Sequence, residues 1–202
     1  MDNKLLKLEK ITDTKWFNLF HLKYRNVKNK IVSWYFASRR QKFDENSDTP
    51  DAIVIVPLKK NDGEDGEYKL VLIKEFRPPV FDYVYSVPAG LLAKNETIEN
   101  CVKRELKEET GLEFEKLLYK SPLCYSAPGI VDESCIINFV EASGELSNEG
   151  QEEAEDVKPF YVGMKEIKEL LSSSKKMDMK CWAILYNFYN LGEIGIYNPC
   201  RL

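Results

Sequence analysis

The chain reads as an α/β protein: a mixed sheet packed between helices, an α/β/α sandwich, with a β-rich extension at its N-terminus. Three observations predict this class. Short runs rich in β-branched and aromatic residues, such as Ala52–Leu58 and Tyr68–Phe76, have strand character. Longer segments, Ile98–Leu112 and Met179–Leu191, carry apolar residues at helical spacing. The 202 residues, 44% hydrophobic, are enough for one core of ordinary size and a small addition. We place the extension at residues 1–45 and the main domain at 46–202.

Along the chain, Trp16–Tyr24 and Ile31–Ser38 are aromatic-rich and alternating, and residues 4–45 predict two or three strands. The polar run NSDTPD (residues 46–51) is a loop. Ala52–Leu58 and Tyr68–Phe76 are strands joined by the acidic, turn-rich NDGEDGE. Tyr83–Pro88 is a short strand leading to Gly90. A helix follows, closing at Gly111, and then strands over Glu115–Ser126 and Cys135–Glu141. Ser143–Asp156 is polar and acidic and predicts a mobile loop. Val157–Val162 is a strand, Lys165–Leu171 a short helix and Met179–Leu191 a second one. No repeat or low-complexity tract interrupts this order.

Composition narrows the function. A net charge of −4 and a pI near 5.3 give no general attraction to nucleic acid or to an anionic membrane. No stretch reaches the ~18 apolar residues of a membrane span, and MDNKLLKLEK has no apolar signal core, so the cytoplasm is the expected compartment. The five cysteines are odd in number and form no CxxC pair, which favours buried free thiols over disulfides or zinc. His21 is the only histidine. That argues against histidine triads and histidine-ligated zinc, and leaves a carboxylate as any general base.

The informative segment is GLLAKNETIENCVKRELKEETGL, Gly90 to Leu112. At about 100° per residue, Ile98, Cys101, Val102 and Leu106 share one face, and Glu99, Asn100, Lys103 and Lys107 the opposite one. Glu105 and Glu109 fall inside the apolar stripe, with Glu108 at its edge. A solvated charged surface helix would not place acids there, because desolvating an unpaired carboxylate costs several kcal/mol or more. A cation must sit against them, and carboxylates converging from one helix face are hard oxygen ligands for a divalent metal. Glu105 and Glu109 are the expected ligands. Arg104, one turn before Glu108, can fix that carboxylate, with Glu96 as a further partner. Asn95 or Thr97 can cap the helix, Gly111 supplies a left-handed exit, and Gly90 a tight turn that leaves the Ala89 or Gly90 carbonyl available to metal.

The spacing Gly90, five residues, Glu96, seven residues, then Arg104-Glu105-Leu106-x-Glu108-Glu109-x-Gly111-Leu112 matches the Nudix hydrolase signature at all nine specified positions. The chain therefore resembles that family, and the resemblance implies a Nudix-type sandwich that binds Mg²⁺ or Mn²⁺ and splits a diphosphate linked to another moiety. In its terms the metals are held by Glu105, Glu109 and a carbonyl near Ala89, with Glu108 and Arg104 in the catalytic set. Outside the box, Glu75-Phe76-Arg77-Pro78-Pro79, Val87-Pro88-Ala89-Gly90 and Ser126-Ala127-Pro128-Gly129 are similar to the ADP-ribose and ADP-sugar pyrophosphatase branch, Pro128 falling sixteen residues after Leu112. This likeness spans about residues 45–190. It implies a small nucleoside diphosphate sugar as substrate, with ADP-ribose giving AMP and ribose 5-phosphate.

By the same alignment Glu153, in the acidic loop, is the general base and Glu155 joins the metal shell; Glu133, beyond Pro128, competes for the base role. Arg77 can clamp a diphosphate bidentately, as can Arg39 or Arg40. Trp16, Phe17, Trp34 and Tyr35 can stack on adenine, although aromatics of this kind more often fill a core or an interface. The large apolar residues of 15–36 exceed what a minimal sandwich buries, and the resembled branch forms homodimers through this region, so a homodimer is expected. Other nucleoside diphosphate sugars, dinucleotides, a non-catalytic nucleotide-binding module and an isopentenyl-diphosphate-type isomerase are the rival readings. The intact acids count against the module, and the lone histidine against the isomerase.

Overall fold

The structure, a computed structural model, describes residues 4–41, 48–61, 67–151 and 156–195. Its backbone divides into two compact units, residues 1–51 with 123–135, and residues 52–122 with 136–202.

In the smaller unit, β1 (Leu5–Lys10), β2 (Asn18–Arg25) and β3 (Ile31–Ser38) form an antiparallel sheet in that order. The β2–β3 turn is set by Asn26, whose side-chain oxygen accepts from Lys28 N at 2.9 Å and Lys30 N at 3.0 Å, and by Asn29 in the left-handed region. Alternation sorts the side chains. Phe20 stacks on Phe36 on one face with ring centroids 5.4 Å apart, whereas Leu19, Tyr35 and Ile31 lie on the other and are exposed.

The larger unit is built on β4 (Ala52–Lys60), β5 (Tyr68–Arg77), β6 (Asp82–Ser86), β7 (Ala89–Leu91), β8 (Glu113–Lys120), β10 (Ser134–Ser143) and β11 (Val157–Val162). The central order is β11-β5-β4-β10-β8, with β6 on β5 and β7 on β4. The unit boundary falls inside β10, whose first residues pair with the two-residue β9 (Cys124–Tyr125). Among the described residues three helices complete the expected class: α1 (Ile98–Thr110), α2 (Met164–Leu171) and α3 (Met179–Leu191). On one sheet face Cys101, Val102 and Leu106 of α1 pack with Ile53, Ile55, Val71 and Val140, all at most 2% exposed. Leu70 and Leu72 alternate with Val71 and turn to the other face, on the side of α2 and α3.

Several boundaries moved for local reasons. The strand expected over Glu115–Ser126 is two pieces, because Pro122 has no N–H to continue a ladder. Tyr83–Pro88 ends at Ser86, and the chain re-enters the sheet as β7. Between β5 and β6, Pro78–Val80 makes a 3₁₀ turn closed by Phe81 at φ 50°.

Candidate active site

Helix α1 carries the acids, and its ends are fixed by sequence. Thr97 is the N-cap, its hydroxyl accepting from Asn100 N at 3.2 Å, and Gly111 exits at φ 77°. Of the two capping candidates Asn95 instead takes a left-handed turn position. Glu109 is 4% exposed, and its Oε2 accepts from the Ala89 amide at 3.0 Å. Glu105 lies over Gly90 so closely that a Cβ there would fall 1.9 Å from its carboxyl. The glycine is required by this approach, and both acids converge on the backbone of β7.

Arg104 organises the rest. Its Nε and Nη2 donate to the two oxygens of Glu96 at 3.0 Å each, and Nη1 donates to Glu105 at 2.7 Å and Glu108 at 3.0 Å. Nη2 also reaches the Leu91 carbonyl at 3.2 Å. The guanidinium hydrogen bonds, with help from the Ala93 amide and against a burial penalty, hold the Glu96 carboxyl down at about 2. Those carboxylates in turn raise Arg104, which stays charged at any working pH. Nearby Cys101 is pushed up to about 12 by burial, so it packs as a thiol.

The donor set suits a hard divalent cation. Among the described residues no three His, Cys, Asp or Glu side chains form a ready metal cluster. Glu105 and Glu109 supply two carboxylates at the Ala89–Gly90 backbone, and Mg²⁺ is commonly bound by one or two carboxylates completed by waters and substrate phosphates.

The acidic loop approaches the same helix. Ser147 N donates to Thr110 O at 2.9 Å, and a Cβ on Gly150 would lie 3.1 Å from the Glu108 Cα. Gln151 pairs through both ends of its amide with the Val157 backbone, so residues 151 and 157 are clamped together. Glu153 and Glu155 lie outside the described residues. Arg77, at the end of β5, is about half exposed and pairs with Glu75 at 2.7 Å.

The remaining candidates meet in the smaller unit, where residues 128–133 are fastened to β3 and the chain after it. Trp34 Nε1 donates to the Gly129 carbonyl at 3.0 Å, next to Pro128, and Ala37 N to Ile130 O at 2.9 Å. Arg39 Nε donates to Glu133 at 2.8 Å. Arg40 forks onto Asp51 through two contacts of 3.1 Å, and Asp51 also accepts from Ser134 N at 2.8 Å and Oγ at 2.7 Å. These hydrogen bonds, with burial opposing them, hold the Asp51 carboxyl below its ordinary range. Asp51, Asp132 and Ser134 escaped sequence reasoning as positioning residues. Their partners are distant in the chain and no local spacing marks them.

The Nudix domain family matches residues 48–181, about two thirds of the sequence. The chain belongs to the Nudix family. An uncharacterised Nudix hydrolase of Schizosaccharomyces pombe is 28% identical over 81% of this chain and 79% of its own length. An ADP-ribose pyrophosphatase of Saccharomyces cerevisiae is 33% identical over 69% of this Nudix chain and 58% of its own. One from Bacillus subtilis is 34% identical over 59% and 65%. A crystal structure of an ADP compounds hydrolase superposes with a TM-score of 0.68, covering 95% of this chain and 94% of its own at 16% identity, a match of fold.

Two outcomes test this geometry. Gly90→Ala should displace Glu105, lowering kcat/KM by about 10²-fold while the thermal midpoint moves little, since misplacement near 1 Å costs that much in rate. Wild-type turnover in the variant would refute the close approach. Glu96 has a folded pKa of about 2 against an ordinary 4.5, so its stabilisation is complete above pH 4.5 and lost as pH falls toward 2. Thermal melts should therefore show Glu96→Gln less stable than wild type at neutral pH, with the gap closing in acid; a gap unchanged down to the lower pKa would contradict the pairing.

Proposed function

We propose that this Nudix hydrolase cleaves ADP-ribose, or a closely related ADP-sugar, to AMP and a sugar phosphate with Mg²⁺, Mn²⁺ being able to substitute. The carrying observation is the complete box with Glu105 and Glu109 converging on the Ala89–Gly90 backbone. The ADP-ribose pyrophosphatase relatives support the choice of substrate. Bound divalent cations would neutralise diphosphate oxygens and acidify a water. Glu105, Glu109 and the Ala89 carbonyl would hold them, and Arg104 keeps Glu105 and Glu108 oriented until they do. Arg77 is assigned to the equatorial phosphoryl oxygens, exchanging Glu75 for substrate. Arg40 is given the weaker claim on the diphosphate, because its fork is already occupied by Asp51.

For the proton of the attacking water we assign Glu153, with Glu155 as an added metal ligand. The support is the docking of Gly150 against Glu108 and the Gln151–Val157 clamp, which carry the flanks of this loop to the acid-bearing helix. Glu133 is committed to Arg39. The net negative charge leaves nucleic acid and membrane out of the proposal, and no helix among the described residues is long and apolar enough to cross a membrane. The cytoplasm is the compartment proposed. Trp16, Ile31 and Tyr35 are 58–69% exposed, and a homodimer through the N-terminal sheet would cover them.

A panel of nucleoside diphosphate sugars with Mg²⁺, read by phosphate release after phosphatase treatment, should favour ADP-ribose. Glu109→Gln should lower kcat by about 10³-fold, several kcal/mol of charge stabilisation, with the fold intact. Equal turnover by that variant at saturating Mg²⁺ would sink the metal assignment, and preference for another base or sugar would redirect the substrate. Sedimentation of wild type should show a dimer, and deletion of residues 1–45 a monomer or an insoluble chain; a soluble wild-type monomer overturns the dimer.

A further inference from the structure

On the sheet face opposite α1, the larger unit carries a row of side chains that electrostatics alone disfavours. Lys158 of β11 is the direct cross-strand partner of Lys74 in β5, and Lys74 is the partner of Tyr85 in β6. Like charges directly opposite on antiparallel strands repel. A third lysine is brought to them by backbone hydrogen bonds. Tyr85 N donates to Lys176 O at 2.9 Å and Asp178 N to Tyr85 O at 2.8 Å, which places the Lys175 ammonium 5.0 Å from the centre of the Tyr85 ring. Lys74 and Lys158 stand over the Tyr83 ring at 4.8 and 5.4 Å. Among the described residues Lys74 and Lys175 form no ion pair, and Lys158 reaches Asp156 only at 3.7 Å.

These groups border a cavity of about 350 Å³, within the range of small-ligand pockets. Its floor is aromatic: Phe160 meets Tyr85 edge-on, with centroids 5.6 Å apart and planes at 85°. Leu170 of α2 adds an apolar wall. Two acids also line it, Glu166 and Glu169, but Glu166 is committed to the start of α2, its Oε2 accepting from Gly163 N at 2.9 Å. Three lysines and one uncommitted carboxylate, Glu169, thus border an aromatic floor, with Asp156 3.7 Å from Lys158. A small dianion relieves the lysine repulsion, and a ring attached to it covers the aromatic surface.

We propose that this cavity is a second ligand site that takes a nucleoside monophosphate, with the phosphate among Lys74, Lys158 and Lys175 and the base against Tyr85 and Phe160. It shares no residue with the acid-bearing box. By strand alternation Lys74, Lys158 and Tyr85 lie on the sheet face that α1 does not cover. It requires neither divalent metal nor catalysis. Only the choice of AMP as probe rests on the proposed reaction.

Calorimetric titration of the full chain in EDTA, with AMP, adenosine and inorganic phosphate in turn, tests the site. In the Glu109→Gln background AMP should bind at one site per chain, at least tenfold tighter than either fragment. Lys74→Ala/Lys158→Ala should weaken AMP at least tenfold while its thermal midpoint does not fall and its hydrolysis rate, measured in the otherwise wild-type chain, stays unchanged. Lys74→Arg/Lys158→Arg should retain binding. Absence of metal-free AMP binding, or binding unaffected by the alanine pair, overturns the proposal. Phosphate binding as tight as AMP overturns the nucleotide assignment. These outcomes are independent of whether ADP-ribose is the substrate.

Discussion

Within one short segment, Glu96, Glu105, Glu108 and Glu109 are brought close together, and like charges at such spacing repel unless a cation separates them. The guanidinium of Arg104 is that cation for the first three, contacting each at 2.7–3.0 Å. Glu109 is handled differently: it is the most deeply buried of the set and takes the amide of Ala89. Planar guanidinium geometry matters here, because five donors in one plane can serve Glu96 with one edge and reach two further carboxylates and a backbone carbonyl. A lysine would neutralise charge but could not hold this arrangement. The acids are thereby held in place beside and along a helix whose other stripe is core.

The strand next to that helix is constrained in return. Gly90 has no side chain because the Glu105 carboxyl fills the space one would need. β7 is therefore both a sheet element, paired with β4, and the backbone wall of the candidate metal site. Packing of Leu106, Val102 and Cys101 against Ile53, Ile55 and Val71 fixes the height of α1 over the sheet. Burial and the candidate site are coupled through one helix: the residues that anchor it alternate with the acids that converge on β7. Its C-terminal end also receives the acidic loop through Ser147 and Gly150, so the loop and the box share one foundation.

The smaller unit follows another logic. There the polar side chains serve long-range fastening: Ser38 to Asp132 at 2.9 Å, Arg39 to Glu133, Arg40 to Asp51 and Ser134 to Asp51. Such charge-assisted contacts hold residues 126–133, between β9 and β10, against β3 and the chain after it, where a hydrophobic core of this size contributes little. Arginines that read as phosphate clamps in isolation are here part of that framework.

Helix α1, its Gly111 exit and its acids were legible in the sequence, and its N-cap was narrowed to Asn95 or Thr97, because these depend on contacts within a few residues: Thr97 to Asn100, Gly111 to Lys107, Arg104 to Glu108. So were α3, to the residue, and the strand β11, whose periodicities are strong and uninterrupted. Family membership was legible for the same reason, since the nine box positions lie in one fixed frame. Contacts that join distant segments were settled by the folded chain alone. That Glu105 excludes a side chain at Gly90, that Arg40 is spent on Asp51, that Glu133 answers Arg39, and that Lys158 faces Lys74 across two strands all depend on register between segments 11 to 94 residues apart. Local spacing carries no information about such pairings, which are fixed only when the sheets close and each buried polar group must find a partner.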